Sequence, residues 1–172
     1  LHSGLAGGAD VILIPEISWD FDAICQKIMN RESVGRRHTL IVVAEGATLP
    51  TGDLVCMAST EANEQVKLGG IGQIVAGEIA KRLDRQTRTV VLGHLQRGGS
   101  PTTFDRVLAT EFGVLAVQLI QKGRFGEMVC YRPPEIESVP IASAIKLLSQ
   151  VDPNGSAVQT GRGLGISFGD TG

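Results

Sequence analysis

The chain has 172 residues, of which 16 are Lys or Arg and 18 are Asp or Glu, so its formal net charge is −2. So small a charge does not favour a surface for nucleic acid or for an anionic membrane. Hydrophobic residues make up 42% of the chain and charged residues only 20%, which is enough to bury a core in one large domain or two small ones. No apolar run reaches the ~18 residues of a membrane-spanning helix, and no signal-peptide pattern is present.

The glycine and cysteine content indicates how the binding sites are formed and in which compartment the protein is found. The 22 glycines are about 13% of the chain against a usual ~7%, so we expect backbone rather than large side chains to shape the binding sites. Cys25, Cys56 and Cys130 are far apart and lack the C-x-x-C spacing of a zinc or redox motif. We therefore expect buried, reduced thiols and a cytoplasmic protein.

The hydrophobic pattern predicts a strand, a helix and a second strand near the start of the chain. Residues 9–15 form a continuous apolar run that ends at a proline, as in a strand buried on both faces of a parallel sheet. From Phe21 to Met29 apolar residues recur at spacings of three and four, which predicts a helix with one apolar face. Residues 39–44 predict a second buried strand that ends at Glu45, and together these elements form a βαβ unit.

The pattern is less regular in the next part of the chain. Residues 48–52 predict a loop, and residues 59–67 predict the beginning of a helix that Gly69 interrupts. Apolar residues from Ile71 to Leu83 mark one face of a further helix, with basic residues near its end. Residues 87–92 predict a third strand.

A long helix follows. We expect Ser100 to cap it, and apolar residues recur at helical spacing until Gly123. Residues 127–131 predict a fourth strand and residues 141–148 a short helix, while residues 152–172 fit no assignable pattern. Alternating strands and helices indicate an open, mostly parallel α/β sheet, in which ligands bind at the carboxyl ends of the strands.

Polar side chains follow two of the predicted strands. Glu45 follows the second strand, and His94, Gln96 and Arg97 follow the third, beside Gly98-Gly99 and the start of the long helix. A guanidinium, freely turning backbone and helix N-terminal amides together suit a phosphate group. The alternative stays open that the glycines only make a tight turn and that Arg97 is a solvated surface charge.

Arg88 lies at the opposite end of the predicted third strand. At ~3.3 Å per residue, the six residues from Arg88 to His94 span about 20 Å, too far for one small ligand to touch both within one subunit. Arg88 therefore serves the same ligand only across a subunit interface, and is otherwise a solvent-facing charge.

The block from Val90 to Pro101, with the sequence VVLGHLQRGGSP, is followed by DRVLAT at residues 105–110. This combination resembles the signature of the 6-phosphofructokinases. Residues 7–16 and the strand that ends at Glu45 resemble other blocks of that family, in the same order and at similar spacing. The resemblance covers most of the chain from about Gly4 onward.

The resemblance implies a three-layer α/β fold with a mostly parallel sheet flanked by helices. Residues 1–100 would form a sugar-phosphate-binding lobe, and residues 101–172 a long helix and C-terminal segment that partly return to the other lobe of the family. It also implies phosphoryl transfer to the 1-hydroxyl of fructose 6-phosphate in glycolysis, from ATP with Mg²⁺ or, in some branches, from pyrophosphate. Residues 163–170 look more like the branch that contains both kinds of enzyme.

Site roles are implied position by position. Glu45 would bind sugar hydroxyls, and His94 and Arg97 would hold the 6-phosphate, with Gln96 as a further substrate-binding residue. Arg88 matches the arginine that reaches into the neighbouring subunit's site in the family. The resemblance thus implies a homo-oligomer, either a dimer or a tetramer, with shared sites.

It further implies that part of the catalytic machinery is missing. The family's glycine-rich nucleotide loops, its Thr-x-Asp-x-Asp segment with the catalytic base and its Met-Gly-Arg segment all precede the position of Leu1. Because the chain begins with Leu rather than Met, we expect sequence upstream of it. We therefore expect no catalytic residue and no metal ligand in this chain, and no activity of the chain alone. The alternative is a freestanding sugar-phosphate-binding regulatory module without catalysis.

Overall fold

The computed structural model describes residues 1–55, 69–146 and 149–170 of the chain. Its elements in chain order are α1 (His2–Ala6), β1 (Val11–Leu13), α2 (Phe21–Ser33), β2 (Ile41–Val43), α3 (Ile71–Leu83), a 3₁₀ helix (Gly93–Arg97), α4 (Thr103–Gln121), β3 (Glu127–Arg132), β4 (Glu135–Pro140), α5 (Ile141–Ala144) and α6 (Ser156–Gly163). They fall into two compact units. The first unit comprises Leu1–Val91 and Gln150–Gly172, and the second comprises Leu92–Ser149.

The first unit is built on the parallel pair of β1 and β2. The two strands pair in a register that places Val11 opposite Ile41. At the other edge of β1, the Ile12 N–H donates to the Ser167 carbonyl at 2.9 Å, so Ser167 forms a parallel bridge there. The predicted βαβ unit is therefore present, and the C-terminal segment extends its sheet on the far side of β1.

The side chains of β1 alternate between two hydrophobic clusters, because successive strand residues point to opposite faces of a sheet. Val11 and Leu13 pack with buried residues of α2 and α3 on one face. Ile12 and Ile14 pack on the other face with Val158 of α6 and with partly buried residues of α1. Helices therefore cover both faces of the parallel strands, and the predicted three-layer α/β fold is confirmed.

The helices α2 and α3 begin at sites that suit a helix start. The Asp20 carboxylate accepts a hydrogen bond from the Ala23 N–H at 2.6 Å, the usual role of an aspartate N-cap. Helix α3 follows Gly70, whose φ of +92° is open mainly to glycine, and it carries Lys81 and Arg82 in its last turn. Both helices occupy the predicted parts of the chain.

The second unit contains α4, an antiparallel hairpin of β3 and β4, and α5. The hairpin pairs Glu127 with Pro140 at its open end and Arg132 with Glu135 at its turn. Strand β3 confirms the strand predicted over residues 127–131. Strand β4 was not predicted, because it has no strong apolar run and depends on pairing with β3. None of the helices in the described ranges is both long and apolar enough to cross a membrane.

Two predictions about local structure are wrong. Residues 87–92 form no strand, because no other described segment forms a hydrogen-bonded ladder with them, although Val90 and Val91 favour extended backbone. The cap of α4 is Thr102 rather than Ser100, so the helix begins later than expected.

Of the remaining predictions, one lies outside the described residues and others differ from the structure in their bounds. The helix expected to begin within residues 59–67 lies outside the described residues. Helix α5 ends at Ala144, short of the predicted 148. Helix α6 lies in the region that showed no assignable pattern. The division of ligand-binding lobes at residues 100 and 101 stays a prediction, while the compact units divide at residues 91 and 92.

Candidate functional site

The predicted phosphate-binding side chains lie on one short turn of 3₁₀ helix. The Gly98 N–H closes this turn by donating to the Leu95 carbonyl at 3.1 Å. Because a 3₁₀ helix has 3.0 residues per turn, side chains three positions apart lie on the same side. His94 and Arg97 therefore share one face of the turn, and Gln96 lies on another.

The two basic side chains of this face are exposed. Neither the His94 side chain nor the Arg97 side chain forms a hydrogen bond or ion pair with any other residue in the described part of the chain. Other arginines already form ion pairs within the chain, such as Arg124 with Glu127. An arginine whose five N–H donors lack a protein acceptor can bind an anion, bidentately where the anion is a phosphate. The shared face thus has the chemistry of a phosphate-binding site.

Glycines on both sides of the turn adopt backbone conformations that other residues rarely adopt. Gly93 has a φ of +49° and Gly99 a φ of +107°. Both values lie in the left-handed region, which glycine enters without a steric penalty. The direction in which the chain enters and leaves the turn therefore depends on these two glycines.

The start of α4 is capped by its own residues. The Asp105 N–H donates to Thr102 Oγ1 at 3.2 Å, and the Thr102 N–H donates to Asp105 Oδ2 at 2.7 Å. Hydrogen bonds from Thr102 lower the pKa of the Asp105 carboxyl, because they stabilise its charged form. The Asp105 carboxylate thus already stabilises the N-terminal end of the α4 dipole. The sequence predicted that amides at this end of the helix would bind part of a phosphate group. The sequence signal for this cap was Thr-x-x-Asp, a capping-box pattern.

Glu45 lies in the predicted position relative to the sheet. It is separated from the end of β2 by one residue, is exposed, and makes no hydrogen bond or ion pair within the described ranges. The Ala47 N–H donates to the Ala44 carbonyl at 3.0 Å and closes a tight turn around it. Glu45 belongs to the first unit, whereas the turn with His94 and Arg97 belongs to the second.

Arg88 is exposed in the irregular segment before the 3₁₀ turn and makes no hydrogen bond or ion pair with another described residue. The expected separation of about 20 Å from His94 assumed an extended strand over residues 87–92. Residues 87–92 pair with no described strand, and the separation of Arg88 from His94 stays a prediction. The structure thus brings together His94, Gln96 and Arg97, and leaves Glu45 and Arg88 in the first unit.

Other reactive groups do not add to this site. Across residues 1–55, 69–146 and 149–170, no group of three or more His, Cys, Asp or Glu residues is arranged to hold a metal ion. Cys25 is a buried free thiol on α2, and its burial raises its pKa. A thiol of raised pKa carries little thiolate at neutral pH and is a poor nucleophile.

Residues 1–120 match the sequence model of the family described as Phosphofructokinase. The chain belongs to the phosphofructokinase family. The matched range includes Glu45, Arg88 and the whole 3₁₀ turn with its flanking glycines. The resemblance recognised in the sequence is therefore confirmed.

Curated phosphofructokinases of two kinds are similar to the chain. The ATP-dependent 6-phosphofructokinase of Chloroflexus aurantiacus is 46% identical over 170 residues, which are 99% of this chain and 46% of that protein. The pyrophosphate–fructose 6-phosphate 1-phosphotransferase of Streptomyces coelicolor is 47% identical over 154 residues, which are 89% of this chain and 45% of that protein. The chain spans about half the length of the curated relatives it matches.

Solved phosphofructokinase structures share the fold. Pichia pastoris phosphofructokinase in the T-state superposes with a TM-score of 0.60 and 31% identity, over 84% of this chain and 15% of that chain. Saccharomyces cerevisiae phosphofructokinase superposes with a TM-score of 0.62 and 28% identity, over 84% of this chain and 18% of that chain. The phosphofructokinase assignment thus holds in both sequence and fold.

Proposed function

We propose that this chain contributes the fructose 6-phosphate-binding part of a 6-phosphofructokinase. That enzyme transfers a phosphoryl group to the 1-hydroxyl of fructose 6-phosphate and forms fructose 1,6-bisphosphate in glycolysis, in the cytoplasm. The proposal depends on one observation: His94 and Arg97 are exposed, unpaired within the described chain and on the same face of a turn inside the family-matched range. The name of the Streptomyces coelicolor relative, which specifies fructose 6-phosphate, supports it.

Each proposed role follows from the donors and acceptors of the side chain. The planar guanidinium of Arg97 donates two parallel N–H bonds to oxygens of the 6-phosphate. His94 donates a ring N–H to the same phosphate, and Gln96 supplies a neutral amide beside it. The carboxylate of Glu45 accepts hydrogen bonds from sugar hydroxyls. Positioning of the bound sugar phosphate and electrostatic stabilisation are the two main ways in which a protein accelerates phosphoryl transfer.

Arg88 is proposed to bind the sugar phosphate of a neighbouring subunit, which makes the functional form a homodimer or homotetramer. Its exposure and its lack of a partner in the described chain support this role, as does its position within the family-matched range. A free arginine at a surface is a frequent anchor at protein interfaces.

The phosphoryl donor is proposed to be ATP or pyrophosphate, because the two relatives are named for different donors. Mg²⁺ neutralises phosphate charge in such reactions. The described residues do not fit a magnesium site, since no acidic cluster among them could hold the ion. We propose that the metal ligands and the catalytic base belong to another part of a full-length enzyme. The chain alone is accordingly proposed to be inactive.

Calorimetric titration with fructose 6-phosphate tests the phosphate assignment. Arg97→Ala is expected to weaken binding by about tenfold or more, because a hydrogen bond between charged groups contributes about 1.5–3 kcal/mol. Arg106→Ala is the matched control, since Arg106 is also exposed and cationic but lies on α4. Equal affinities of the wild-type chain and the Arg97 variant would contradict the assignment, as would equal weakening by both variants.

A second candidate function is a freestanding sugar-phosphate-binding module without catalysis, favoured by the exposed side chains of His94 and Arg97, which suit the binding of a phosphate by themselves. A coupled assay with ATP or pyrophosphate separates the candidates. Turnover that requires both this chain and the remaining portion of a phosphofructokinase supports the enzyme. Binding of fructose 6-phosphate without turnover in that mixture supports the module, and turnover by the chain alone contradicts its proposed inactivity.

A further inference from the structure

The chain reverses direction at the end of α3, within the first unit. Asp84 follows the helix in the left-handed conformation, with a φ of +51°, which aspartate tolerates better than most residues. The chain then returns to the first turn of α3, because a β carbon added at Gly72 would lie 3.3 Å from the methyl carbon of Thr89. We call residues 84–89 the return segment, and it includes Arg88.

Arg85 fixes the beginning of the return segment with four hydrogen bonds. Its Nε and Nη2 donate to the two carboxylate oxygens of Glu32, in the last turn of α2, at 3.1 and 3.4 Å. Its Nη1 donates to the carbonyls of Leu83 and Asp84 at 3.0 and 3.3 Å. Exposed ion pairs contribute little to stability, but a bidentate arginine that also binds helix-terminal carbonyls has a defined orientation. The contacts of Arg85 are the first anchor of the segment.

The contact of Thr89 with Gly72 is the second anchor. From Gly72 to Leu83, the helix rises about 16 Å, at ~1.5 Å per residue. The six residues that follow Leu83 reach about 20 Å when fully extended. The return segment therefore has little slack, and its backbone is close to extended between the two anchors.

This geometry determines the direction in which Arg88 points. Successive side chains of an extended segment point to opposite sides. Because the Thr89 side chain faces α3, the Arg88 side chain faces away from that helix. A segment that is ordered before binding loses less conformational entropy when it binds a ligand.

We propose that the two anchors are positioning elements, which hold Arg88 in the orientation that binds the sugar phosphate of a neighbouring subunit. Arg85 is not itself a phosphate ligand in this proposal, because its guanidinium already donates to protein acceptors. The inference rests on the role of Arg88 in the proposed function. It adds the residues on which that role depends: Glu32, Gly72, Arg85 and Thr89.

NMR relaxation of the 172-residue chain without ligand tests the first anchor. The order parameter of the Arg88 amide is expected to be about 0.85, and Arg85→Ala is expected to lower it toward about 0.6. Arg82→Ala is the matched control, because Arg82 also pairs with an acidic residue of α2, Asp22, but lies within α3. Unchanged order in Arg85→Ala, or an equal loss in both variants, overturns the proposal.

The second anchor is tested by two substitutions in the same helix. Gly72→Ala is expected to shift the amide resonances of residues 88–90, because the new methyl group displaces the Thr89 side chain. Gly77→Ala is the matched control, since a β carbon at Gly77 would meet no atom within 4 Å, and it is expected to leave these resonances in place. Equal changes in the two variants overturn the second anchor.

Titration with fructose 6-phosphate separates positioning from a general structural role. It is carried out at chain concentrations where light scattering detects the oligomer. Arg85→Ala is expected to weaken binding about three- to tenfold, but less than about twofold in a chain that already carries Arg88→Ala, because no side chain is then left to position. Equal weakening in both backgrounds overturns the proposal. No weakening by Arg88→Ala contradicts the proposed function of Arg88 instead, and the ligand-free NMR measurements still decide whether the anchors order it.

Discussion

Thr102 and Asp105 cap helix α4 reciprocally, because each donates its backbone N–H to the side chain of the other. The Thr102 hydroxyl adds a third hydrogen bond by donating to Asp105 Oδ2 at 2.7 Å. This cap determines where the turn that carries His94 and Arg97 gives way to the long helix. It therefore fixes the start of α4 a few residues after the candidate phosphate site.

The cap can be tested by comparing two substitutions before α4. Thr102→Ala is expected to destabilise the start of the helix by about 1 kcal/mol, because it leaves a backbone donor without its acceptor. Ser100→Ala is the control, since the Ser100 hydroxyl makes no hydrogen bond with a described residue, and it is expected to change stability by less than about 0.5 kcal/mol. Urea unfolding and amide exchange at residues 103–106 measure both. An equal cost of the two variants would show that Ser100 also caps the helix.

The same pair predicts a pH dependence. Hydrogen bonds from Thr102 lower the pKa of Asp105 in the folded chain below its ordinary value. The stabilisation is therefore fully present above the ordinary pKa of aspartate, and it is lost as the pH falls through the lowered value. Thr102→Ala is expected to return the pKa of Asp105 toward its ordinary value, whereas Thr102→Ser is expected to keep it low. NMR titration of the Asp105 carboxyl measures this directly, and identical pKa values in both variants would refute the Thr102 hydroxyl as the cause.

Gly169 and Gly165 have similar backbone conformations but different space around them, so substitutions at the two positions distinguish backbone strain from steric overlap. Their φ values are +78° and +77°, but a β carbon at Gly169 would lie 2.6 Å from the Trp19 β carbon, while one at Gly165 would meet nothing within 4 Å. Gly165→Ala is expected to cost about 1–2 kcal/mol from its left-handed backbone alone. Gly169→Ala is expected to cost about 1–3 kcal/mol more, because the core around Trp19 must shift. Urea unfolding compares the two, and equal costs would exclude the overlap.

Cys25 is expected to react slowly with iodoacetamide in the folded chain. Burial removes its thiol from solvent and raises its pKa, so both access and thiolate content are low. Cys130 is only partly buried and is expected to be alkylated faster in the same sample. Peptide mass spectrometry after timed quenching measures both rates, and the difference is expected to vanish in denaturant. Faster alkylation of Cys25 in the native chain would contradict its burial.

The elements of the first unit are largely predictable because their signals are local. A continuous apolar run predicts β1, and the spacing of apolar residues predicts α2 and α3. The Asp20 cap and Gly70 belong to the few residues around each helix start. Each of these features depends on hydrogen bonds and steric limits within one or two turns of chain.

Residues 87–92 and β4 show where local patterns are insufficient. Val90 and Val91 favour extended backbone, but a strand also needs a partner that lies elsewhere in the chain. Strand β4 lacks such an apolar run and still forms, because β3 supplies its hydrogen bonds. Strand propensity is thus a weaker predictor than helix spacing, since pairing is a property of two segments.

The order of residues alone identified the family and the spacing of three between His94 and Arg97. It also indicated a long helix with apolar residues at helical spacing that ends near Gly123. Only folding converts that spacing into a shared face, because residues three apart lie on the same side of a 3₁₀ turn but on opposite faces of an extended strand. Folding likewise determines which side of α4 is covered, because burial depends on contacts between distant parts of the chain.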